Sequence, residues 1–180
     1  MAPNLACLAL STSLAIRPEG PADRSSITRM VTAAFGRDEE ARLIERLREA
    51  GALTVSLVAA IGDDLVGHVA LSPVSIAGAA PGRRWLGLGP LAVRPDRQRA
   101  GMGAALMQAA LAAGDQGGTE LIVLLGEPGY YGRFGFEPAS RHGLGLPWPV
   151  PDEAFMARLA TARAPPPGMV GYHPAFDATL

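Results

Sequence analysis

A short glycine loop between an apolar strand pattern and a helix pattern contains the residues with the clearest chemical meaning in this chain. Its core, residues 98–103, reads QRAGMG. Gly101 and Gly103 lack a Cβ atom, so phosphate oxygens can approach the main chain there. The first N–H groups of the following helix have no intrahelical partner and carry partial positive charge from the helix dipole. The spacing therefore predicts a loop whose backbone amides bind a diphosphate.

The glycine spacing argues against two common nucleotide-binding loops. A dinucleotide-binding fingerprint requires a third glycine at the position where this chain has Leu106. A triphosphate-binding loop requires Gly-Lys-Ser/Thr, and no lysine stands at that place after Gly103. The remaining pattern is Q-x-x-G-x-G, which taken alone also fits a simple strand-to-helix turn.

A second segment with glycine and aromatic residues follows the next apolar run. Residues 121–125 read LIVLL, and residues 126–138 continue as GEPGYYGRFGFEP. The hydroxyl groups of Tyr130 and Tyr131 can donate a proton or a hydrogen bond.

Together the two segments resemble the GCN5-related N-acetyltransferase (GNAT) superfamily. Residues 91–106 are similar to its acetyl-CoA-binding motif, in which a strand ending in Val-x-Pro leads into an R/Q-x-x-G-x-G/A loop and a helix. Residues 126–138 are similar to its F-Y-x-x-x-G-F segment. The chain is most similar to the YhbS-like branch, and the resemblance covers about residues 14–176. The segments that match this branch are residues 34–36 (AFG), 47–48 (LR), 87–93 (GLGPLAV), 125–136 and 172–176.

The resemblance implies acetyl-CoA as a cosubstrate and assigns a role to each motif. The pantetheine arm would pair with the backbone of Leu91, Ala92 and Val93, where an N–H would receive the thioester oxyanion. The implied cofactor-binding loop consists of Gln98, Arg99, Ala100, Gly101, Met102, Gly103 and Ala104. Tyr131 occupies the position of the usual general acid, which protonates the departing thiolate; as a residue alone it also fits an aromatic wall of the site.

The group that takes a proton from the acceptor amine is less well defined. Many relatives carry an acidic residue on the strand before the Val-x-Pro turn, and residues 85–93 contain none. Glu127 is our candidate catalytic carboxylate, with a cap for the following turn as an equal alternative. An unperturbed histidine has a pKa of about 6.5, which would suit a proton acceptor, but the β-rich surroundings of His68 favour a structural role. Arg99 and Arg133 fit either a phosphate contact or another partner.

Composition favours one folded enzyme domain. The chain has 180 residues, 48% hydrophobic content and a formal net charge of −1, which argues against disorder and against a basic face for nucleic acid. A single cysteine excludes an internal disulfide, and three dispersed histidines give no metal signature. We expect an N-terminal extension at residues 1–12 and a single domain at residues 13–180. Because no basic residue precedes Arg17, we expect a cytoplasmic protein without a secretory signal or membrane contact.

Hydrophobic periodicity places these motifs on an α/β domain. The predicted strands are residues 13–17, 53–60, 65–76, 85–93 and 120–125, and the predicted helices are residues 22–35, 38–50 and 101–113. A helix that joins the last two strands makes them parallel. The glycines and the proline in residues 87–90 predict a bulge. With the resemblance, the expected fold is a three-layer α/β/α mixed sheet of the acyl-CoA N-acyltransferase (GNAT) type, with a splayed parallel strand pair.

The segment after Phe136 has the weakest signals. Trp148, Phe155 and Met156 fit core packing, an acceptor pocket or a subunit contact, and packing is favoured. Residues 162–171 read as a turn. The sequence does not name the acceptor amine, and because the superfamily contains monomers and dimers, a homodimer stays open. Since the strand acid is missing, a non-catalytic acyl-CoA-binding sensor is the alternative function.

Overall fold

A mixed β-sheet lies at the centre of the computed structural model, which describes residues 13–177. Its strands in these residues are β1 Leu14–Pro18, β2 Val55–Ile61, β3 Asp64–Ile76, β4 Trp85–Val93, β5 Leu121–Leu125, β6 Glu137–Pro138, β7 Leu144–Gly145, β8 Phe155–Leu159 and β9 Gly168–Tyr172. The α-helices are α1 Arg24–Phe35, α2 Glu39–Glu49, α3 Met102–Gln116 and α4 Pro128–Tyr131. The strand order is β1-β2-β3-β4-β5-β8-β6, and β9 pairs with both β3 and β7.

Helices cover both faces of this sheet. In β2, Leu57 and Ala59 pack in a buried cluster with α3, whereas Val58 between them packs with α1 and α2. This alternation follows from the two-residue period of a strand. The structure therefore has the predicted three layers, with α1 and α2 on one face and α3 on the other.

The parallel pair β4 and β5 separates toward its carboxyl end. Its last paired residues are Gly87 and Val123, although β4 continues to Val93 and β5 to Leu125. On its other side β4 stays paired with β3 as far as Val93. The strands thus diverge and leave a gap beside the second half of β4, as the family resemblance implied.

The predicted bulge lies where this gap begins. Val69 is opposite Leu91, and Leu71 is opposite Leu88, so residues 89–90 of β4 face a single residue of β3. An extra residue bends and twists the strand that carries it. The bulge therefore directs the last residues of β4 away from β5.

The predicted elements before residue 126 agree with the structure to within three residues at each end, and β4 has the predicted bounds. Helix α3 extends to Gln116 rather than to residue 113. Its Gly114 packs against β5, since an added Cβ would lie 3.3 Å from Ile122 Cδ1. This tertiary contact lengthens the helix beyond what its local sequence indicates.

The strands after residue 136 were not predicted. Strand β8 pairs antiparallel with β5, and β9 pairs with the carboxyl end of β3. Residues 168–171, expected to be part of a turn, therefore belong to a strand. Both strands are short, and their partners lie far away in sequence, so local periodicity carries little signal for them.

The packing interpretation of the later aromatic and sulfur-containing residues is confirmed. Phe155 and Met156 are buried in the core, and Trp148 packs against the same region with its ring centroid 6.4 Å from that of Tyr172. Within residues 13–177, no helix is both long and apolar enough to span a membrane. The predicted N-terminal extension, residues 1–12, lies outside the described residues.

Candidate active site

The glycine loop forms the start of α3 with an unusual backbone. Gly101, the N-cap residue, has φ +83°, and Arg99 has φ +60°. The left-handed region costs a non-glycine residue roughly 1–2 kcal/mol, so the backbone of the loop is strained at Arg99. The Gln98 side-chain amide donates to the Val93 carbonyl at 3.1 Å and ties the loop to the end of β4. The first N–H groups of α3, which have no intrahelical partner, therefore follow a loop that is tied to β4.

This loop borders a cleft of about 730 Å³, which we call the loop cleft. Nine of the twelve predicted site residues line it: Leu91, Val93, Gln98, Arg99, Gly101, Gly103, Ala104, Glu127 and Tyr131. Gly126, Tyr130 and Arg133 complete the lining. The side chain of Ala92 packs with α1 and α2 instead. Met102, the first residue of α3, packs against the buried core, and Ala100 is exposed and does not line the cleft.

The backbone groups of Leu91 and Val93 face the gap between β4 and β5. The Arg94 N–H donates to the Val66 carbonyl at 2.9 Å, which marks a hydrogen-bonded pair of the β3–β4 ladder. Such pairs alternate with non-hydrogen-bonded pairs along an antiparallel ladder. Ala92 therefore bonds to β3, whereas the N–H and C=O groups of Leu91 and Val93 point away from it. The resemblance assigns the backbones of Leu91, Ala92 and Val93 to pantetheine. The alternation means that only the backbone groups of Leu91 and Val93 face the gap where pantetheine would lie.

Tyr131 lies at the end of α4, in a cluster of aromatic rings. Its ring centroid is 4.9 Å from that of Tyr130 and 6.1 Å from that of Phe136, both in edge-on geometry. Burial, with a smaller contribution from Tyr130, raises the pKa of Tyr131 to about 12. Its hydroxyl therefore holds its proton at neutral pH and can donate it.

Glu127 precedes α4 at the N-cap position, where its backbone carbonyl accepts from the N–H groups of Tyr130 and Tyr131, each at 3.0 Å. Its side chain makes no capping hydrogen bond. Among the described residues it is the carboxylate that lines the loop cleft. The backbone thus shapes the turn, while the carboxylate is left beside the cleft.

Arg133 also lines the loop cleft. Its guanidinium carbon lies 4.2 Å from the ring centroid of Tyr130 and 5.0 Å from that of Phe134. A guanidinium over an aromatic face is attracted by the ring quadrupole. This stacking holds a positive charge at the cleft without using a carboxylate.

His68 lies in a buried polar network and lines neither the loop cleft nor its neighbouring cavity. Ser56 Oγ donates to Glu19 at 2.6 Å, so the 2.8 Å contact between Ser56 Oγ and His68 Nε2 is one in which the imidazole donates. Arg48 binds the same Glu19 carboxylate through two hydrogen bonds. Burial lowers the pKa of His68 despite the opposing effect of Glu19. These contacts fit the structural role favoured from the sequence.

A second cavity of about 390 Å³, which we call the side cavity, meets the loop cleft. It is lined by Phe35, Arg37, Glu40, Leu43, Leu88, Gly89, Pro90, Leu91, Leu125, Tyr131, Tyr172 and Phe176. Leu91 and Tyr131 line both spaces. Apart from these two, none of its residues is a site residue predicted from the sequence, although Phe35, Tyr172 and Phe176 stand in the segments that resemble the family.

Among residues 13–177, the structure brings together no group of three or more histidine, cysteine or carboxylate side chains that could hold a metal ion. The polar groups of the two spaces are backbone amides, tyrosine hydroxyls, the Gln98 amide, three arginine side chains and the carboxylates of Glu40 and Glu127. Such a set suits binding of an anionic ligand and proton transfer.

Comparison with known proteins agrees with this geometry. A family model for the acetyltransferase (GNAT) domain matches residues 15–139. The N-acetyltransferase YhbS of Escherichia coli K12 is 38% identical over 165 residues, which cover 90% of this chain and 98% of YhbS. The N-acetyltransferase YjhQ of the same organism is 33% identical over 147 residues, or 78% of this chain and 81% of YjhQ.

Two solved structures extend the similarity to ligand complexes. Escherichia coli YhbS in complex with CoA matches with a TM-score of 0.86 and 36% identity, covering 91% of this chain and 92% of that chain. A GNAT family acetyltransferase from Brucella melitensis in complex with acetyl-CoA matches with a TM-score of 0.78 and 39% identity, covering 92% of this chain and 99% of that chain. Family model, sequence relatives and fold agree, and this chain belongs to the GNAT family of acetyltransferases.

Proposed function

We propose that this protein transfers the acetyl group of acetyl-CoA to a primary amine by direct attack of the amine on the thioester. The observation that carries the proposal is the junction of the two spaces at Leu91 and Tyr131. One space contains the glycine loop, whose backbone amides would bind an anion, and the other is a cavity that an acceptor would enter. The transferred group would pass between them at this junction.

Binding of the cosubstrate rests on main-chain groups. The first N–H groups of α3, with Gly101 and Gly103 in the loop, would hold the pyrophosphate. The pantetheine amides would pair with the outward-facing backbone of Leu91 and Val93 in the gap left by β5. The relatives that were solved with CoA and acetyl-CoA support this assignment.

The chemistry requires a neutral amine, an oxyanion donor and a proton for sulfur. Nitrogen attacks the thioester carbon, and the oxygen takes up negative charge that the Leu91 N–H would stabilise. As the carbon–sulfur bond breaks, Tyr131 gives its proton to sulfur and regains one from the positively charged nitrogen of the intermediate. Its high pKa is compatible with this exchange, because the hydroxyl is never left ionised. The products are the acetylated amine and CoA with a free thiol.

The incoming amine is protonated in solution, since alkylamines have pKa values of about 10. We propose Glu127 as the carboxylate that takes up this proton. It borders the loop cleft rather than the side cavity, so the proton would reach it through water.

Calorimetric titration with acetyl-CoA tests the proposal first. Gly101→Glu places a carboxylate where the pyrophosphate would lie, and Gly101→Ala is the matched control, because it carries the same left-handed backbone strain without charge. We expect binding by the wild-type protein, weaker binding by Gly101→Ala and none by Gly101→Glu. Absence of binding by the folded wild-type protein would overturn the transferase proposal.

A screen of amines with detection of free CoA thiol then tests transfer. Amine-dependent release of thiol supports the proposed reaction. Tight binding of acetyl-CoA with no release toward any amine would instead favour an acyl-CoA-binding sensor.

A further inference from the structure

The side cavity is lined mainly by apolar side chains, and part of this apolar surface faces solvent. Phe35 is 41% exposed and Leu125 is 37% exposed, although most large hydrophobic side chains of the described chain are buried. Both line the side cavity, together with Leu43 and Phe176. Exposed apolar side chains that converge on a concave surface are typical of a ligand site. The cavity therefore fits the apolar part of an acceptor.

Two charged side chains, Arg37 and Glu40, line this cavity, and they are paired with each other. Arg37 Nε donates to both carboxylate oxygens of Glu40, at 3.0 and 3.2 Å, and Arg37 Nη2 also binds this carboxylate. Glu40 is only 7% exposed, whereas the Arg37 side chain is 59% exposed. The carboxylate is thus occupied and covered, while the guanidinium remains accessible.

The pairing fixes how the guanidinium is presented. Its Nε and Nη2 atoms face Glu40, and Nε also lies 3.9 Å from Glu39 Oε2. Nη1 has no hydrogen-bond partner or ion pair among the described residues. A guanidinium is a planar fork that binds carboxylates with two donors. Glu40 therefore positions Arg37 with one edge of the fork available to a ligand.

From this arrangement we infer that the acceptor is an apolar amine that also carries a carboxylate, and that Arg37 binds this carboxylate. The inference rests on the proposed function, since it names the class of amine that the side cavity would accept. An amine with several positive charges fits poorly, because the cavity's carboxylate is already neutralised by Arg37 and an apolar lining offers no other anion. An apolar amine without a carboxylate would leave the open edge of Arg37 unused.

Matched pairs of amines test this class. Phenylalanine carries a carboxylate next to the amine, and 2-phenylethylamine is the same molecule without it. 6-Aminohexanoate carries a carboxylate at the end of the chain far from the amine, and pentylamine is the same molecule without it. We expect kcat/KM, measured by thiol release from acetyl-CoA, to be about tenfold higher or more for the carboxylate-bearing member of at least one pair, the effect typical of one charge-assisted contact. Spermidine, which carries several positive charges, should be a poor acceptor.

The double variant Arg37→Gln/Glu40→Gln removes the guanidinium without leaving a buried unpaired carboxylate. We expect it to abolish the preference within the pair by raising KM for the carboxylate-bearing amine, with little change for its partner. Arg42→Gln is the control, because Arg42 lies on α2 with Glu40, pairs with Asp38 at 2.7 Å and lies outside the side cavity.

Three results would overturn the inference: equal rates within both pairs, preference for spermidine, or an unchanged preference in the double variant. If acetyl-CoA binds but no amine is acetylated, the proposed function fails. Calorimetric titration of the four paired amines into the CoA-bound protein then tests the inference separately. Tighter binding of a carboxylate-bearing amine that disappears in the double variant supports it, and equal or no binding within both pairs contradicts it.

Discussion

The ring of Tyr131 lies against the backbone of Gly126, at a point where no side chain could be accommodated. A Cβ atom built on Gly126 would overlap ring atom Cε2 and lie 2.7 Å from Cδ2. Gly126 comes directly after β5, and Tyr131 ends the short helix α4 that follows. This contact sets the position of the tyrosine at the junction of the loop cleft and the side cavity.

We therefore expect Gly126→Ala to reduce kcat by displacing the Tyr131 ring. A shift of about 1 Å in a catalytic group can cost on the order of a hundredfold in rate, and we predict a loss in kcat of about tenfold to a hundredfold. Overpacking against the ring should also lower the free energy of unfolding by about 1–3 kcal/mol. Gly132→Ala is the control, since Gly132 has an ordinary helical φ of −56° and open space around it. Steady-state kinetics with acetyl-CoA compares the two, and equal activity of both variants would contradict this positioning role.

Tyr131→Phe removes the proposed proton donor while keeping the ring. We expect kcat to fall by roughly 10²–10⁴, the usual contribution of general acid catalysis, with the calorimetric Kd for acetyl-CoA nearly unchanged. Tyr130→Phe removes the neighbouring hydroxyl and serves as the control. If Tyr131 is only an aromatic wall, both variants will retain turnover.

The pH dependence gives a second test of Tyr131. Its proton must be present for donation, and burial raises its pKa to about 12, so the active form persists as the pH rises until it nears that value. We expect the kcat of the wild-type protein to show no alkaline loss assignable to this residue below about pH 10. An alkaline limb below that pH that Tyr131→Phe removes would contradict a donor held protonated by burial.

The loop cleft could be predicted from the sequence because its parts are local. Gly101 and Gly103 stand together at a helix start, and Tyr131 lies a few residues after β5, so each motif carries its own geometry. The side cavity could not be predicted in this way, because it joins residues from both ends of the chain. Phe35 and Phe176, for example, are more than a hundred residues apart and meet only in the folded protein.

Backbone direction is a second feature that the sequence did not reveal. Leu91, Ala92 and Val93 are consecutive apolar residues, and resemblance alone treats their backbones alike. The alternation of the β3–β4 ladder divides them, since Ala92 bonds to β3 and its neighbours face the gap. The bulge at residues 89–90 determines which residues of β4 bond to β3. Its position depends on the pairing of β4 with β3, which the sequence of β4 alone does not show.

Glu127→Gln tests the proposed proton acceptor. We expect kcat/KM to fall by about tenfold or more at neutral pH, with partial recovery at higher pH where more of the acceptor amine is already neutral. Glu153→Gln is the control, because Glu153 is exposed and lies outside both spaces. A pH–rate profile identical to that of the wild-type protein would show that Glu127 is dispensable and favour proton loss to water alone.

The buried network around His68 predicts that stability falls in mild acid. Burial lowers the pKa of His68 from its ordinary value of 6.5, so this imidazole binds a proton less readily in the folded protein than in the unfolded chain. Below that pH the unfolded state binds more protons, and the free energy of unfolding decreases as the pH falls. Burial raises the pKa of Glu19, but its hydrogen bonds with His68, Arg48 and Ser56 and the charge of Arg48 lower it further, to well below 4.5. The contribution of the Glu19 carboxylate to the free energy of unfolding is therefore lost only at a lower pH than that of His68.

Urea unfolding of His68→Gln at about pH 5.5 and about pH 7.5 isolates this effect. Glutamine keeps an N–H donor for Ser56 but cannot take up the proton, so we expect a smaller loss of stability between the two pH values than in the wild-type protein. His142→Gln, which changes a partly exposed histidine outside the network, should retain the wild-type loss. If His68→Gln loses as much stability on acidification as the wild-type protein, a different group governs the acid response, and the neutral, donating state of His68 would be wrong.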